Sequence, residues 1–230
     1  MSSPPVTSRP GEPDTVEPGD NASARQLRET RYLLIESFLD DPLRTVAYHY
    51  AHRRARLGHG AVDSQVPGTP SFYGDILMDS LLEVATASVE DITGRQLAPT
   101  YSYFRIYKHG DILAPHRDRP ACEISLTICL GLNPGAAGSD YVWPLHVRRD
   151  DQRDGVAIPC RPGDAIVYHG CEVWHWRDAF AGENQAQVFL HYVDRHGPHA
   201  HLEFDGRPEL ALPSARGQDG RDESISSRPG

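Results

Sequence analysis

The stretch YKHGDILAPHRDRP, Tyr107 to Pro120, packs two histidines, two aspartates and two arginines into fourteen residues. In an extended strand, side chains two residues apart point to the same face. His116 and Asp118 then face one way and Arg117 the other. Two imidazoles and one carboxylate on one side of an iron(II) ion leave its remaining positions open for other ligands. His116-Arg117-Asp118 supplies two of those three donors, so a second histidine must come from a strand further along. His175 fits best, because it follows a tight Gly170-Cys171 turn that would carry a strand back across a sheet. His169 in the same segment, His191 and His146 are the alternatives.

On either side of this stretch the chain changes character at Gly94. Before it, Arg31 to Phe38 reads as a strand. Asp40 or Asp41 can cap a following helix, and Pro42 suits its first turn. Ile76, Leu77, Leu81, Leu82, Val84, Ala85, Val89 and Ile92 form an apolar stripe at helical spacing, which Gly94 ends. After Gly94 come short β-branched and aromatic runs, from TYSYFRIY to QAQVFLHYVD, separated by Gly, Pro, Asn and Asp. Tyr101, Tyr103, Arg105 and Tyr107 share one face of the first run. Such punctuation predicts an antiparallel sandwich or barrel behind a helical layer.

Residues 1–29 and 206–230 are rich in Pro, Ser, Gly and acids, with few large apolar side chains. They cannot offset the entropy of ordering, so both are expected to be disordered tails around a domain at 30–205. There is no apolar run long enough for a membrane span and no secretory leader. Cys122, Cys129, Cys160 and Cys171 lack CxxC pairing, as expected of reduced thiols in a cytoplasmic protein. The net charge of -9 repels phosphate backbones and argues against nucleic acid as a partner. His52 to Arg56, HRRAR, reads as a solvated helical face.

The surroundings of the His-x-Asp element resemble the 2-oxoglutarate- and iron(II)-dependent dioxygenases, in particular their prolyl-4-hydroxylase-like branch. That branch has a Tyr, a Gly three residues on, and then Pro-His-x-Asp. Tyr107, Gly110, Pro115, His116 and Asp118 follow that order here. ISLTICLGL and GAAGSDYVWPL resemble the strand and the aromatic-Pro segment that come next. RPGDAIVYHGCEVWHW resembles the Pro-Gly turn and strand before the distal histidine, with His175 placed 59 residues after His116. The likeness runs from about Arg31 to Asp194. It implies an α+β fold, a double-stranded β-helix (jelly roll, cupin-like) with supporting N-terminal helices. It also implies Fe(II) held by His116, Asp118 and His175, with 2-oxoglutarate as cosubstrate and O2 as oxidant. The implied reaction is hydroxylation of an unactivated C–H in a small-molecule or peptidyl substrate, coupled to conversion of 2-oxoglutarate to succinate and CO2. With Asp118 present, the resemblance favours hydroxylation or desaturation over halogenation.

One position departs from the family pattern. An Arg or Lys about ten residues after the distal histidine normally anchors the far carboxylate of 2-oxoglutarate. Gln185 stands there, followed by Gln187. A buried carboxylate without a cation is costly. Arg105, beside Tyr107 on one strand face, is the first choice to replace the missing charge; Arg177, two residues after His175, and Arg195 follow. Gln185 and Gln187 can add hydrogen bonds, weaker than a guanidinium fork. The missing cation also supports another reading, a non-catalytic jelly-roll module that binds a metal or small ligand. Trp174 and Trp176 are expected on the opposite face from His175, in the core, and Glu123 on one face with Ser125 and Thr127. The loops Leu57 to Tyr73 and Pro134 to Tyr141 are expected at the pocket mouth.

Overall fold

The structure is a computed structural model and describes residues 21–213. In chain order its elements are α1 (Ala22–Thr30), β1 (Tyr32–Ile35), α2 (Asp41–Arg56), β2 (Ser71–Tyr73), α3 (Ile76–Thr93), β3 (Leu97–Lys108) and β4 (Leu113–His116). Then follow β5 (Ile124–Asn133), β6 (Leu145–Arg148), β7 (Val156–Ile158), β8 (Ala165–Tyr168), β9 (Trp174–Arg177) and β10 (Asn184–Asp194). A six-stranded sheet has the order β1-β8-β5-β10-β3-β2, and a four-stranded sheet the order β4-β9-β6-β7. Every pairing is antiparallel. From β4 onward the chain passes back and forth between the two sheets, which makes a double-stranded β-helix with helices on one side.

Alternation along the long strands sorts their side chains into two unlike faces. Phe104, Ile124, Leu126, Ile128, Leu130, Val188, Leu190 and Tyr192 lie in the core shared with the helices. The alternate positions, including Arg105, Ser125, Thr127, Gln185, Gln187 and His191, are just as buried but polar. A buried polar face needs partners, and this one looks into the space between the sheets.

Asp40 caps α2, its carboxylate accepting from Leu43 N at 2.9 Å, and Asp75 caps α3. Gly94, with φ 67°, ends α3 in the left-handed conformation a glycine adopts without strain. Ala47 and Ala51 of α2 and Met78, Leu82, Ala85 and Val89 of α3 cover the apolar face of the large sheet. Among the described residues, no helix is long and apolar enough to cross a membrane.

Four expectations need correction. The folded chain starts before residue 30: Asn21 caps α1, whose Ala24 and Leu27 are buried. It also runs past 205, because the Arg207 guanidinium donates to the Asp79 carboxylate at 2.6 Å, with both side chains buried. Two small apolar anchors and one ion pair suffice there, and apolar composition registers neither. The rest of the expected tails, 1–20 and 214–230, lies outside the described residues. In the α3 stripe, Ile76 and Val84 are exposed at 68% and 73%, on the solvent side of the helix. Trp174 and Trp176 do point away from His175, but to a half-exposed outer surface, where Trp174 carries Arg117 and Trp176 stacks on His146.

Candidate metal centre

β4 and β9 pair so that His116 and His175 stand directly opposite each other, with ring centroids 4.2 Å apart. Each Nδ1 lies near a carbonyl two residues back, His116 at 2.8 Å from Ala114 O and His175 at 3.2 Å from Val173 O. Those contacts assign the proton to Nδ1 and leave both Nε2 lone pairs free. The two Nε2 atoms lie 3.7 and 3.4 Å from Asp118 Oδ1. One donor atom from each of the three residues falls within 4.8 Å of the others.

The strand ends at His116, so other groups must fix Asp118. Its N–H donates to Gly170 O at 3.0 Å, and its Oδ2 accepts from Ser125 Oγ at 3.0 Å. Gly170 admits this approach because it lacks a side chain: a Cβ there would lie 2.5 Å from Asp118 Oδ2 and from Cys122 O. Behind Ser125, His191 Nδ1 lies 3.0 Å from Ser125 Oγ, while its buried Nε2 has no hydrogen-bond partner among the described residues. Asp118, Cys122 and His191 form a second donor group that shares the carboxylate.

Burial, then repulsion from His175, pushes the His116 imidazolium down to about 4. Burial alone would raise the Asp118 carboxyl, but the charge and hydrogen bond of His175, then His116, outweigh it and hold it below the usual carboxylate range. At neutral pH, Asp118 is therefore ionised and His116 neutral, the states in which such groups ligate metals.

Beyond His175, one end of the interior is short of an anion. Arg177 is fully buried; its Nη1 donates to Trp143 O at 2.5 Å and its guanidinium lies 4.9 Å from the centre of the Trp143 ring. Among the described residues its Nε and Nη2 have no hydrogen-bond partner, nor does the buried Tyr107 hydroxyl. Burial above all raises the Tyr107 phenol, against the pull of both Arg105 and Arg177, so it stays a neutral O–H donor. Gln185 lies opposite Tyr107 in the sheet. Its Nε2 donates to Gln187 Oε1 at 2.8 Å, and Gln187 Nε2 to Thr127 Oγ1 at 2.7 Å. Arg105, first choice from the sequence, is 1% exposed and already ion-paired with Asp63. That aspartate sits in the loop between α2 and β2, where Val66 is buried against Tyr107, Trp143, Phe180 and Phe189.

The other candidates stand apart. His169 pairs with Glu172 at 3.2 Å and His146 with Asp178 at 3.7 Å. Arg195 reaches Leu97 O and Glu203. Glu123 holds strand ends, accepting from Asp194 N at 3.1 Å and pairing with Arg95 at 3.6 Å. Asp63, Gly170 and Trp143 are the contributors sequence reasoning missed; only Gly170 carried a signal, as the glycine of a tight turn.

Fold and site together define a jelly roll with two histidines and a carboxylate facing its interior. No family model and no curated protein matches the chain. Solved structures do. A Pseudomonas putida prolyl-4-hydroxylase matches with a TM-score of 0.60 at 16% identity, over 76% of this chain and 98% of that one. A Trichoplax adhaerens prolyl hydroxylase, solved with a hypoxia inducible factor peptide, gives 0.62 at 15% identity over 75% and 88%. The epimerase SnoN, in complex with Fe3+, alpha ketoglutarate and nogalamycin RO, gives 0.58 at 17% identity over 83% and 92%. At these identities the likeness is one of fold: the chain has the architecture of the 2-oxoglutarate oxygenases.

Proposed function

We propose that this chain is an Fe(II)- and 2-oxoglutarate-dependent dioxygenase that hydroxylates an unactivated C–H of an amino acid, peptidyl residue or specialised metabolite. The observation that carries this reading is the convergence of His116 Nε2, His175 Nε2 and Asp118 Oδ1, two residues along β9 from a buried arginine that no carboxylate among the described residues neutralises. The three residues would hold iron(II), which suits two imidazoles and a carboxylate. Iron so bound supplies the O2 chemistry that couples decarboxylation of 2-oxoglutarate to oxygen insertion into a C–H bond.

The protein's own residues have separate tasks. Asp118 is kept ionised and aimed by Ser125 and Gly170. Arg177 and the Tyr107 hydroxyl would take the far carboxylate of 2-oxoglutarate, ending three unmet donors at once. Gln185, locked through Gln187 to Thr127, borders that site without charge. On this reading β9 would supply the cation missing at Gln185, which weakens the case for a non-catalytic module. Val66 and its aromatic neighbours exclude water from that end.

The test is anaerobic titration of the Fe(II)-loaded protein with 2-oxoglutarate, followed by succinate assay under O2. Iron-dependent succinate and a visible absorption band on binding are expected, both lost in His116→Ala. Succinate without iron, or full activity in His116→Ala, would sink the proposal. Metal binding without any 2-oxoglutarate binding would return the non-catalytic module.

A further inference from the structure

Two buried guanidiniums flank Tyr107, and 2-oxoglutarate accounts for one of them. Arg105 is 1% exposed, and among the described residues only its Nη2 has a hydrogen-bond partner, the Asp63 carboxylate. Its Nε is buried with no partner. The guanidinium carbon lies over the Tyr107 ring, 5.8 Å from its centre, a long cation–π contact that supplies no hydrogen-bond acceptor in the guanidinium plane for Nε. A buried guanidinium with open donors is costly unless something arrives to fill them.

Asp63 does not depend on Arg105. Its Oδ1 accepts from Gln65 N at 3.1 Å and Val66 N at 3.2 Å, and its Oδ2 from Ser71 Oγ at 3.2 Å. The carboxylate is thus built into its own loop and touches Arg105 at one nitrogen. The fork made by Nε and the near hydrogen of Nη2 matches a second carboxylate. Arg105 shares the inward face of β3 with Tyr101, Tyr103 and Tyr107. Tyr103, between Arg105 and Tyr101 on that face, stacks on His191 with ring centroids 5.7 Å apart, and His191 Nδ1 lies 3.0 Å from the Ser125 hydroxyl that holds Asp118, so this stretch of wall runs from the guanidinium towards the candidate metal centre.

We infer that Arg105 is a recognition site for a carboxylate on the primary substrate, separate from the Arg177 site, and that Asp63 competes with it. The inference rests on the oxygenase reading above and narrows its substrate class to small carboxylic acids, free amino acids included. A substrate carboxylate takes the Nε side of Arg105, and the reacting carbon then extends along the tyrosine face towards His116, Asp118 and His175.

The experiment uses the full chain loaded with Ni(II), which prevents turnover, and saturated with 2-oxoglutarate. The probes are the free amino acids and a set of aryl and alkyl carboxylic acids, each beside its primary amide, with binding read by calorimetry. We expect carboxylates to bind and their amides to bind weaker by on the order of 30-fold, the worth of a charge-assisted hydrogen bond. Arg105→Gln erases that difference, Arg105→Lys retains part of it, and 2-oxoglutarate affinity changes little in either. Asp63→Asn strengthens carboxylate binding, the opposite sign from a merely structural role. The inference is overturned if no carboxylate in the set binds, if acid and amide bind alike, or if Arg105→Gln weakens 2-oxoglutarate as much as Arg177→Gln. Loss of Ni(II) or 2-oxoglutarate binding by the unmodified chain would instead refute the oxygenase reading.

Discussion

A methyl group at position 170 would meet the Asp118 carboxylate at 2.5 Å, backed by the Cys122 carbonyl at the same distance and unable to slide away. Gly170→Ala should therefore turn Asp118 off its line to His116 and His175. Losses in metal affinity of roughly 10- to 100-fold are typical when a ligand's supporting contacts fail. Competition titration with a chromophoric chelator reads this directly, and an unchanged affinity would show that Asp118 tolerates the push. Arg177 gives the complementary case. Arg177→Gln removes the charge and, being shorter, also the Nη1 bond to Trp143 O, so 2-oxoglutarate binding should weaken by roughly 10- to 100-fold. Metal affinity should stay constant, because Arg177 touches none of the three donors. A variant that lost both together would point to collapse of β9. Much of this site was legible in the chain. The spacing of His116 and Asp118 is what brings them to one face, and Arg177 shares the face of His175 by alternation, although from sequence Arg105 ranks ahead of it. The state of Arg105 was not legible, because its partner Asp63 lies 42 residues away in a loop without regular structure.

Elements were read well wherever one residue type enforces a conformation. Asp40 and Gly94 bound their helices as their chemistry requires. Boundaries failed where tertiary pairing replaces local signal, and the segment after β10 shows why. Asp79 of α3 is fully buried and accepts from Ser102 N, Ser102 Oγ, Ala211 N and the Arg207 guanidinium. That carboxylate ties helix, β3 and the C-terminal segment together, yet in sequence it is one of four acids on the helix, with Glu83, Glu90 and Asp91. Arg207→Met leaves it without its cation. Removing one partner of a buried pair typically costs about 3–5 kcal/mol. For a domain of this size that is a fall of roughly 6–20 °C in Tm. Asp79→Asn combined with Arg207→Met should recover part of the loss, since the double change removes both charges and keeps an acceptor oxygen for Ser102. Thermal unfolding of the three chains decides it, and additive losses in the double variant would deny the coupling.

At the scale of the whole molecule, the two-faced large sheet sets how the fold responds to acid. Its outer face is an ordinary apolar core, whereas its inner face holds imidazoles that are buried before any ligand binds. Burial, chiefly, pushes the His191 imidazolium down to about 4, and burial with repulsion from His175 does the same at His116. In the unfolded chain both return to about 6.5. Between those values the unfolded state binds more protons, so stability rises with pH across the window and is flat above it. Their contribution is fully present above about pH 6.5 and is lost as the pH falls towards 4. A shift of this size is worth on the order of 3 kcal/mol per group. The metal-free protein should therefore show a Tm that holds from pH 8 to 7 and drops steeply from 6 to 5. His191→Gln should flatten part of that slope whatever it does to the plateau, because glutamine has no proton to take up. Metal-loaded protein should move the drop to lower pH, as an ion on His116 Nε2 must be displaced before that ring can charge. A Tm that is level between pH 8 and 5 without metal would mean that water reaches these rings in solution, and that the inner face is wetter than its burial implies.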